Sequence, residues 1–178
     1  LTLLKAMRRQ RQLILVCEGA DIVGKTNIGL ALSNKLRIPY FKNRLETPSF
    51  YDKDYFFNTL KYAQPIVLQL LEQTRQSIIF DRSYPSEFVY SQVYNRGTDF
   101  DLLASIDKRY SKLDTRIFIF ERENYSGLKD DIIESDKILA VREKYHEFAK
   151  FTKCKINFVN VDDENLDREV DEVISTIT

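Results

Sequence analysis

The sequence predicts an α/β fold in which a five-stranded parallel sheet is flanked by helices, and three observations within its 178 residues predict it. Apolar, strand-like runs alternate with helix-like segments five times, the pattern of parallel strands joined by right-handed crossovers. The first strand–helix junction, Gly19-Ala20-Asp21-Ile22-Val23-Gly24-Lys25-Thr26, fits the spacing Gly, four residues, Gly, Lys, Ser/Thr. A short apolar run further on ends in Asp81-Arg82, an acid and a base placed together at a strand terminus.

The elements follow in order. The length suggests one domain, expected over 13–178 behind a basic N-terminal arm at 1–12. Leu13 to Val16 is the first strand, and Ile28, Leu30, Ala31, Leu32 and Leu36 recur at roughly helical spacing after the glycine loop. Ile38 to Phe41 reads as a second strand, and Lys42 to Asp52 as a polar loop carrying Arg44 and Glu46. Asp54 to Gln76 reads as a helix interrupted or bent near Pro65, because proline lacks the N–H that a helix interior needs. Ser77 to Asp81 is a buried strand. Ser86 to Tyr94 is a helix, and Gly97 marks its end. Asp101 to Tyr110 is a further helix, Thr115 to Glu121 a strand, Ser135 to Lys153 a charged amphipathic helix, Lys155 to Val161 the last strand and Asn165 to Ile177 the last helix.

The glycine loop carries a specific chemistry. Its backbone N–H groups and the following helix N-terminus cradle phosphate oxygens. Lys25 adds a charge that can follow the β- and γ-phosphates, and the Thr26 hydroxyl can ligate Mg²⁺. Ligands in such sheets bind beyond the carboxyl ends of the strands, which gathers Glu18 to Thr26, Lys42 to Thr47, Asp81 to Ser83 and Glu121-Arg122 at one edge. There Asp81 can hold Mg²⁺ through water, and Arg82 can bridge two phosphates. Alone, an Asp-Arg pair is equally compatible with a capping Asp and a surface ion pair; downstream of a phosphate loop the functional reading prevails.

Composition narrows the classes. Lys plus Arg and Asp plus Glu both number 27, so the formal net charge is zero, which argues against bulk electrostatic binding to nucleic acid. Cys17 and Cys154 sit in no metal or redox spacing, which points to a reducing compartment, the cytoplasm. No apolar run approaches membrane-spanning length and no signal peptide is visible. The ten tyrosines and twelve phenylalanines fall mostly at helical spacing and are read as core rather than as stacking platforms for single strands. His146 stands alone on an exposed-looking helix and is assigned no chemistry. Asp162-Asp163-Glu164 is expected to cap the last helix.

The motifs resemble those of the thymidylate kinase family and its relatives, the deoxynucleoside kinases. Glu18-Gly19-Ala20-Asp21-Ile22-Val23-Gly24-Lys25-Thr26 is similar to the thymidylate kinase loop Glu-Gly-x-Asp-x-x-Gly-Lys-Ser/Thr. Asp81 to Tyr90 resembles Asp-Arg-Tyr-x-x-Ser-x-x-x-Tyr, and Val141 to Ala149 resembles the late Val-Arg-x-x-Tyr-x-x-Leu-Ala helix. The resemblance implies a phosphate-loop (P-loop) NTPase fold, a single P-loop nucleotide kinase domain, ATP and Mg²⁺ as donor and cofactor, and phosphorylation of a deoxynucleoside monophosphate, the alternatives being a deoxynucleoside kinase that phosphorylates a 5′-hydroxyl and a non-catalytic nucleotide-binding protein. By resemblance Lys25, Thr26 and the loop amides hold the donor phosphates and Mg²⁺. Asp21 approaches the acceptor sugar, Arg44 holds the acceptor phosphate, and Arg82 lies between the nucleotides. Phe57 is placed to stack on the acceptor base, with Lys61 and Gln64 reading its edges; the competing reading of Phe57 is a core aromatic. The expected partners are small-molecule nucleotides, with no nucleic acid and no membrane, and a homodimer is left open.

The departures are informative. One branch of the family carries a catalytic arginine where this chain has Ile22, and the other carries arginines in a lid after the fourth strand. Here that lid, Glu121 to Asp136, holds only Arg122 and Lys129 among acids. Ser83 replaces the family tyrosine and matches the deoxynucleoside kinases, for which Glu46 is the candidate base. Arg82 is therefore expected to carry most of the transition-state charge.

Overall fold

The computed structural model describes residues 12–42, 52–125 and 135–177. Its strands are β1 (Ile14–Gly19), β2 (Tyr40–Lys42), β3 (Ile78–Asp81), β4 (Thr115–Glu121) and β5 (Lys155–Asn160). Its α-helices are α1 (Lys25–Leu36), α2 (Lys53–Asn58), α3 (Gln64–Thr74), α4 (Tyr84–Val93), α5 (Phe100–Tyr110), α6 (Ser135–Phe151) and α7 (Leu166–Ile177). The five strands form one sheet in the order β2-β3-β1-β4-β5, parallel at every pairing. This is the α/β architecture with a five-stranded parallel sheet that the alternation predicts.

β1 lies at the centre and is buried along its whole length, with α1 and α6 packed against it. A strand covered on both faces reads as a continuous apolar run, and Ile14, Leu15, Val16 and Cys17 supply it. The connection leaving β1 runs toward β2, and the one leaving β3 crosses to the other half of the sheet. The strand order therefore reverses between β1 and β3, and the crevice that such a reversal opens beyond the strand ends is where ligands bind in open α/β sheets. Lys42 and Cys17 are both in register with Asp81, so three residues from three strands form one row at that crevice.

The core is aromatic-rich. Tyr84, Tyr110, Tyr145, Phe118, Phe120 and Phe148 are among its largest fully buried side chains, as the helical spacing predicts. Tyr84 stacks on Tyr110 with centroids 5.0 Å apart.

Three elements differ from the sequence reading in instructive ways. The helix read over 54–76 is interrupted, as expected, but ahead of Pro65: two helices are joined by a turn of π-helix at Thr59–Ala63, in which the Gln64 N–H donates five residues back to the Thr59 carbonyl. Pro65 has no N–H to give and its ring crowds the carbonyl four residues earlier, so the extra residue is accommodated just before it. α4 starts at Tyr84 rather than Ser86, because Pro85 in the first turn leaves unmade only an N–H that has no helical partner. The acidic cluster before α7 is not its cap: Asn165 accepts from the Arg168 N–H at 3.1 Å, while Asp163 pairs with Arg168 at 2.7 Å and Asp162 accepts from the Glu123 N–H at 3.1 Å.

Candidate active site

The turn from β1 into α1 is shaped by two glycines. Gly19 has φ +132°, and a Cβ there would lie 2.2 Å from the Phe120 carbonyl oxygen of the neighbouring strand. Gly24 has φ +75° and open space where a Cβ would go, so glycine is required there by backbone conformation alone. A short 3₁₀ turn, Asp21–Val23, connects them. Ala20 and Val23 are buried, and Ile22 packs partly buried against the core. α1 then begins without a side-chain cap, which leaves its first N–H groups for an anion. Lys25 is 4 % exposed and its ammonium donates to the Ala20 carbonyl, folded across the loop.

A cluster of hard oxygens sits beside this loop. The Thr26 hydroxyl donates to Asp81 Oδ2 at 2.8 Å, and the Tyr40 hydroxyl donates to the same oxygen at 2.8 Å. Tyr40 reaches it because Gly29 of α1 leaves room for its ring: a Cβ at Gly29 would lie 2.7 Å from it. Burial and the Asp81 carboxylate hold the Tyr40 hydroxyl well above its usual range. Among the described residues no group of three or more His, Cys, Asp or Glu side chains converges. One carboxylate and one hydroxyl suit Mg²⁺, which takes few protein ligands and keeps waters and phosphate oxygens. Thr26 and Asp81 would hold it.

A second centre is built on Glu18. Its carboxylate is fully buried; it accepts from the Ser83 N–H at 2.7 Å, the Ser86 hydroxyl at 2.7 Å and the Tyr145 hydroxyl at 2.8 Å. The Arg82 guanidinium lies 3.9 Å from it, donates to Ser86 at 3.2 Å and Tyr145 at 3.3 Å, and covers the Tyr90 ring with its carbon 5.0 Å from the centroid. Arg82 also has φ +69°, an uncommon conformation for a side-chain-bearing residue, and its N–H donates to the Cys17 carbonyl at 3.0 Å. β1, β3, α4 and α6 thus fix one arginine in place.

Arg82 opens onto a pocket of about 480 Å³, open mouth included. Phe56, Leu60, Tyr84 and Tyr90 give it apolar walls, and Gln64 and Glu87 give it polar ones. Gln64 is buried, and its carbonyl accepts from the Tyr110 hydroxyl at 3.2 Å. Glu87 accepts two bonds from Arg96, at 3.1 and 2.6 Å, and the Arg96 guanidinium lies 4.0 Å from the Phe56 ring centroid. Burial pushes the Glu87 carboxyl up despite this pairing.

The predicted residues divide accordingly. Gly19 through Thr26, Asp81 and Arg82 meet at the crevice, and Gln64 and Arg82 line the pocket. Phe57 and Lys61 do not line it: the Lys61 ammonium lies 5.6 Å from the Phe57 ring centroid and 5.3 Å from that of Tyr62. Phe56, Leu60 and Gln64, each four residues from the last, form the pocket face. Arg44, Glu46 and Lys129 lie outside the described residues, as does the side chain of Asp21. Arg122 pairs with Glu164 at 2.9 Å. His146 stacks on Phe158 with centroids 4.4 Å apart and bonds Glu121 at 2.8 Å. The sequence reading passed over Tyr40, Glu87 and Arg96; it placed Lys42 and Glu18 at this edge without giving either a role. The signals were a buried acid inside an apolar strand and a glutamate inside an apolar helix.

No protein-family model and no curated protein matches the sequence. Solved structures match its fold. The YorR protein of Bacillus subtilis, in complex with phosphorylated GDP, superposes with a TM-score of 0.68 at 16 % identity over 92 % of this chain and 95 % of that one. Thymidylate kinase from Ehrlichia chaffeensis gives 0.64 at 15 % identity, over 94 % of this chain and 100 % of that one. Deoxyadenosine kinase from M. mycoides, with products dCMP and dCDP bound, gives 0.58 at 18 % identity, over 92 % and 97 %. The P-loop, the strand order and these superpositions agree: the chain has the thymidylate and deoxynucleoside kinase-like fold.

Proposed function

We propose that this chain is a nucleotide kinase that transfers the γ-phosphoryl group of ATP to the phosphate of a deoxynucleoside monophosphate, dTMP-like, giving the diphosphate. The observation that carries the reading is that a phosphate loop and a half-apolar pocket meet at one arginine, Arg82. Phosphoryl transfer asks the protein for alignment and positive charge rather than covalent chemistry. Lys25, Thr26 and the loop amides hold the donor phosphates, and Arg82 stands between donor and acceptor. Mg²⁺ at Thr26 and Asp81 neutralises charge on the donor phosphates when bound. Asp21 faces the acceptor sugar and Arg44 grips the acceptor phosphate. Gln64 reads the base from the pocket wall, while stacking by Phe57 and edge reading by Lys61, which do not line the pocket, would require both side chains to turn toward it.

A monophosphate acceptor needs no base, because its attacking oxygen is already anionic. Among the described residues the carboxylates nearest the pocket are engaged: Glu18 accepts three hydrogen bonds and Glu87 is paired with Arg96. That favours the monophosphate. Ser83 and the likeness to a deoxyadenosine kinase favour the second reading, a deoxynucleoside kinase using Glu46 as base. No described helix is long and apolar enough to cross a membrane, and Cys17 and Cys154 are buried and unpaired with each other, in keeping with a cytoplasmic protein, as a monomer or homodimer, acting on free nucleotides. A steady-state assay with ATP and a panel of deoxynucleosides and their monophosphates tests this. Turnover of monophosphates is expected; turnover of nucleosides alone selects the second reading, and no turnover of either overturns both.

A further inference from the structure

Lys42 ends β2, on the row it shares with Asp81. Its ammonium donates to Thr26 Oγ1 at 3.0 Å and lies 4.0 Å from Asp81 Oδ2, with the side chain 45 % exposed. The Thr26 hydroxyl gives its proton to Asp81, so the lone pairs it turns the other way accept from Lys42. Those lone pairs are the ones a divalent cation would use.

We infer that Lys42 is a resident competitor of the divalent cation, seated at the Thr26–Asp81 pair in the nucleotide-free protein and displaced when the metal arrives with a nucleotide. The inference rests on the metal reading of Thr26 and Asp81 given above. Mg²⁺ binds oxygen at about 2.1 Å, so a metal on Thr26 and Asp81 needs the space in front of both oxygens. An ammonium 3.0 Å from one and 4.0 Å from the other sits in front of them, and its charge repels a second cation. A half-exposed stem of four carbons lets the ammonium swing clear at little cost. A bare cation offers Lys42 nothing in exchange for its two partners. A metal–nucleotide complex brings phosphate oxygens, a new partner for the displaced charge. Metal should therefore load together with the nucleotide rather than before it.

The test measures binding, not turnover. Mn²⁺ is titrated into nucleotide-free full-length protein and free Mn²⁺ is read by electron paramagnetic resonance, for wild type, Lys42→Met and Lys42→Arg. Removing a unit charge at this range should tighten bare Mn²⁺ by about tenfold or more in Lys42→Met, with Lys42→Arg staying near wild type. In parallel, Mn²⁺–ADP binding is compared between wild type and Asp81→Asn. Equal Mn²⁺–ADP binding by those two proteins overturns the metal reading itself. Loss of it in Asp81→Asn, with bare Mn²⁺ affinity unchanged or weaker in Lys42→Met, overturns the role of Lys42 alone. Thermal melts of the folded variants keep either result from being ascribed to misfolding.

Discussion

The two ends of the crevice are made differently. The end that the proposed function assigns to the phosphate donor is a loop of eight consecutive residues whose working parts are backbone N–H groups, two glycines and one lysine. The end that it assigns to the acceptor is assembled from α2, the π-helical turn, α3, α4 and the chain after it, and its polar parts are side chains locked in buried pairs: Glu87 with Arg96, Gln64 with Tyr110. Arg82 belongs to both, held by Glu18 of the donor strand and lining the acceptor pocket. A backbone site tolerates sequence change around it, whereas a site of buried side-chain pairs ties binding to stability. Side-chain substitutions at the donor end, its two glycines apart, should therefore harm turnover and spare the fold, and those deep in the acceptor end should harm the fold first.

The largest effect is expected at Lys25. Lys25→Ala removes the one positively charged side chain of the phosphate loop, and a cation acting on the transferring phosphoryl group is worth on the order of a thousandfold or more in rate. kcat should fall by that much while the melting temperature moves by a few degrees. Near-wild-type kcat in the folded variant would remove the phosphate-loop reading.

At the other end, Glu87→Gln takes the carboxylate charge away from the Arg96 guanidinium, whose side chain is 3 % exposed. Breaking one member of a buried pair costs about 3–5 kcal/mol, and at about 2–4 °C per kcal/mol for a chain of this size the melting temperature should drop by roughly 10 °C. The double change Glu87→Leu with Arg96→Met should recover much of that loss, since an apolar pair leaves no charge unpaired. If Glu87→Gln melts with wild type while acceptor KM rises, the pocket pair serves binding rather than stability, and the contrast between the two ends fails.

Arg82 is where the ends meet, so its removal should show both signatures. Arg82→Ala should lower kcat by about a hundredfold, in line with the loss of one charge-assisted donor at the transition state, and should also reduce stability by uncovering Glu18. Arg122→Ala should change kcat by no more than about threefold, because its guanidinium is drawn to Glu164 at 2.9 Å and an exposed ion pair contributes little. A larger kcat loss at Arg122 or Lys129 than at Arg82 would mean that the segment after β4 supplies the charge.

The same contrast explains what could be read from sequence. The donor end is local: strand, glycine spacing, lysine and hydroxyl are adjacent in the chain, and their order carries their geometry. The sheet is legible for a related reason, since alternating apolar runs and amphipathic segments leave few topologies. Phe56 and Phe57 show where that ends. Both are apolar positions on a helix, and only the π-helical turn before Pro65 and the packing of Arg96 on Phe56 decide which ring faces the pocket. Glu18 to Tyr145 spans 127 positions and Tyr40 to Asp81 spans 41; no periodicity encodes such pairings. The acidic cluster at 162–164 misled because composition near a helix start suggests a cap, while the residue with the right reach, Asn165, is one position on.

The smallest effect sharpens the comparison at its shared point. Burial raises the Glu18 carboxyl above the usual 4.5, and the Arg82 charge and the bonds from Ser86, Ser83 and Tyr145 oppose that rise without cancelling it. Between 4.5 and the raised value the folded protein therefore keeps a proton that the unfolded chain has released. The folded state binds more protons there, so stability falls as pH rises through that window. The Glu18 contribution is fully present below 4.5 and lost above the folded pKa, at a slope of at most about 1.4 kcal/mol per pH unit. Glu87 adds a loss of the same sign, but it is common to wild type and Glu18→Gln and cancels in their difference. The melting-temperature advantage of wild type over Glu18→Gln should thus shrink as pH is raised from 4.5 to 7. An advantage that stays level over that range and grows only as pH rises toward 4.5 from below would mean that the guanidinium outweighs burial and lowers the carboxyl, making Glu18–Arg82 a true ion pair rather than a buried acid that an arginine only partly relieves.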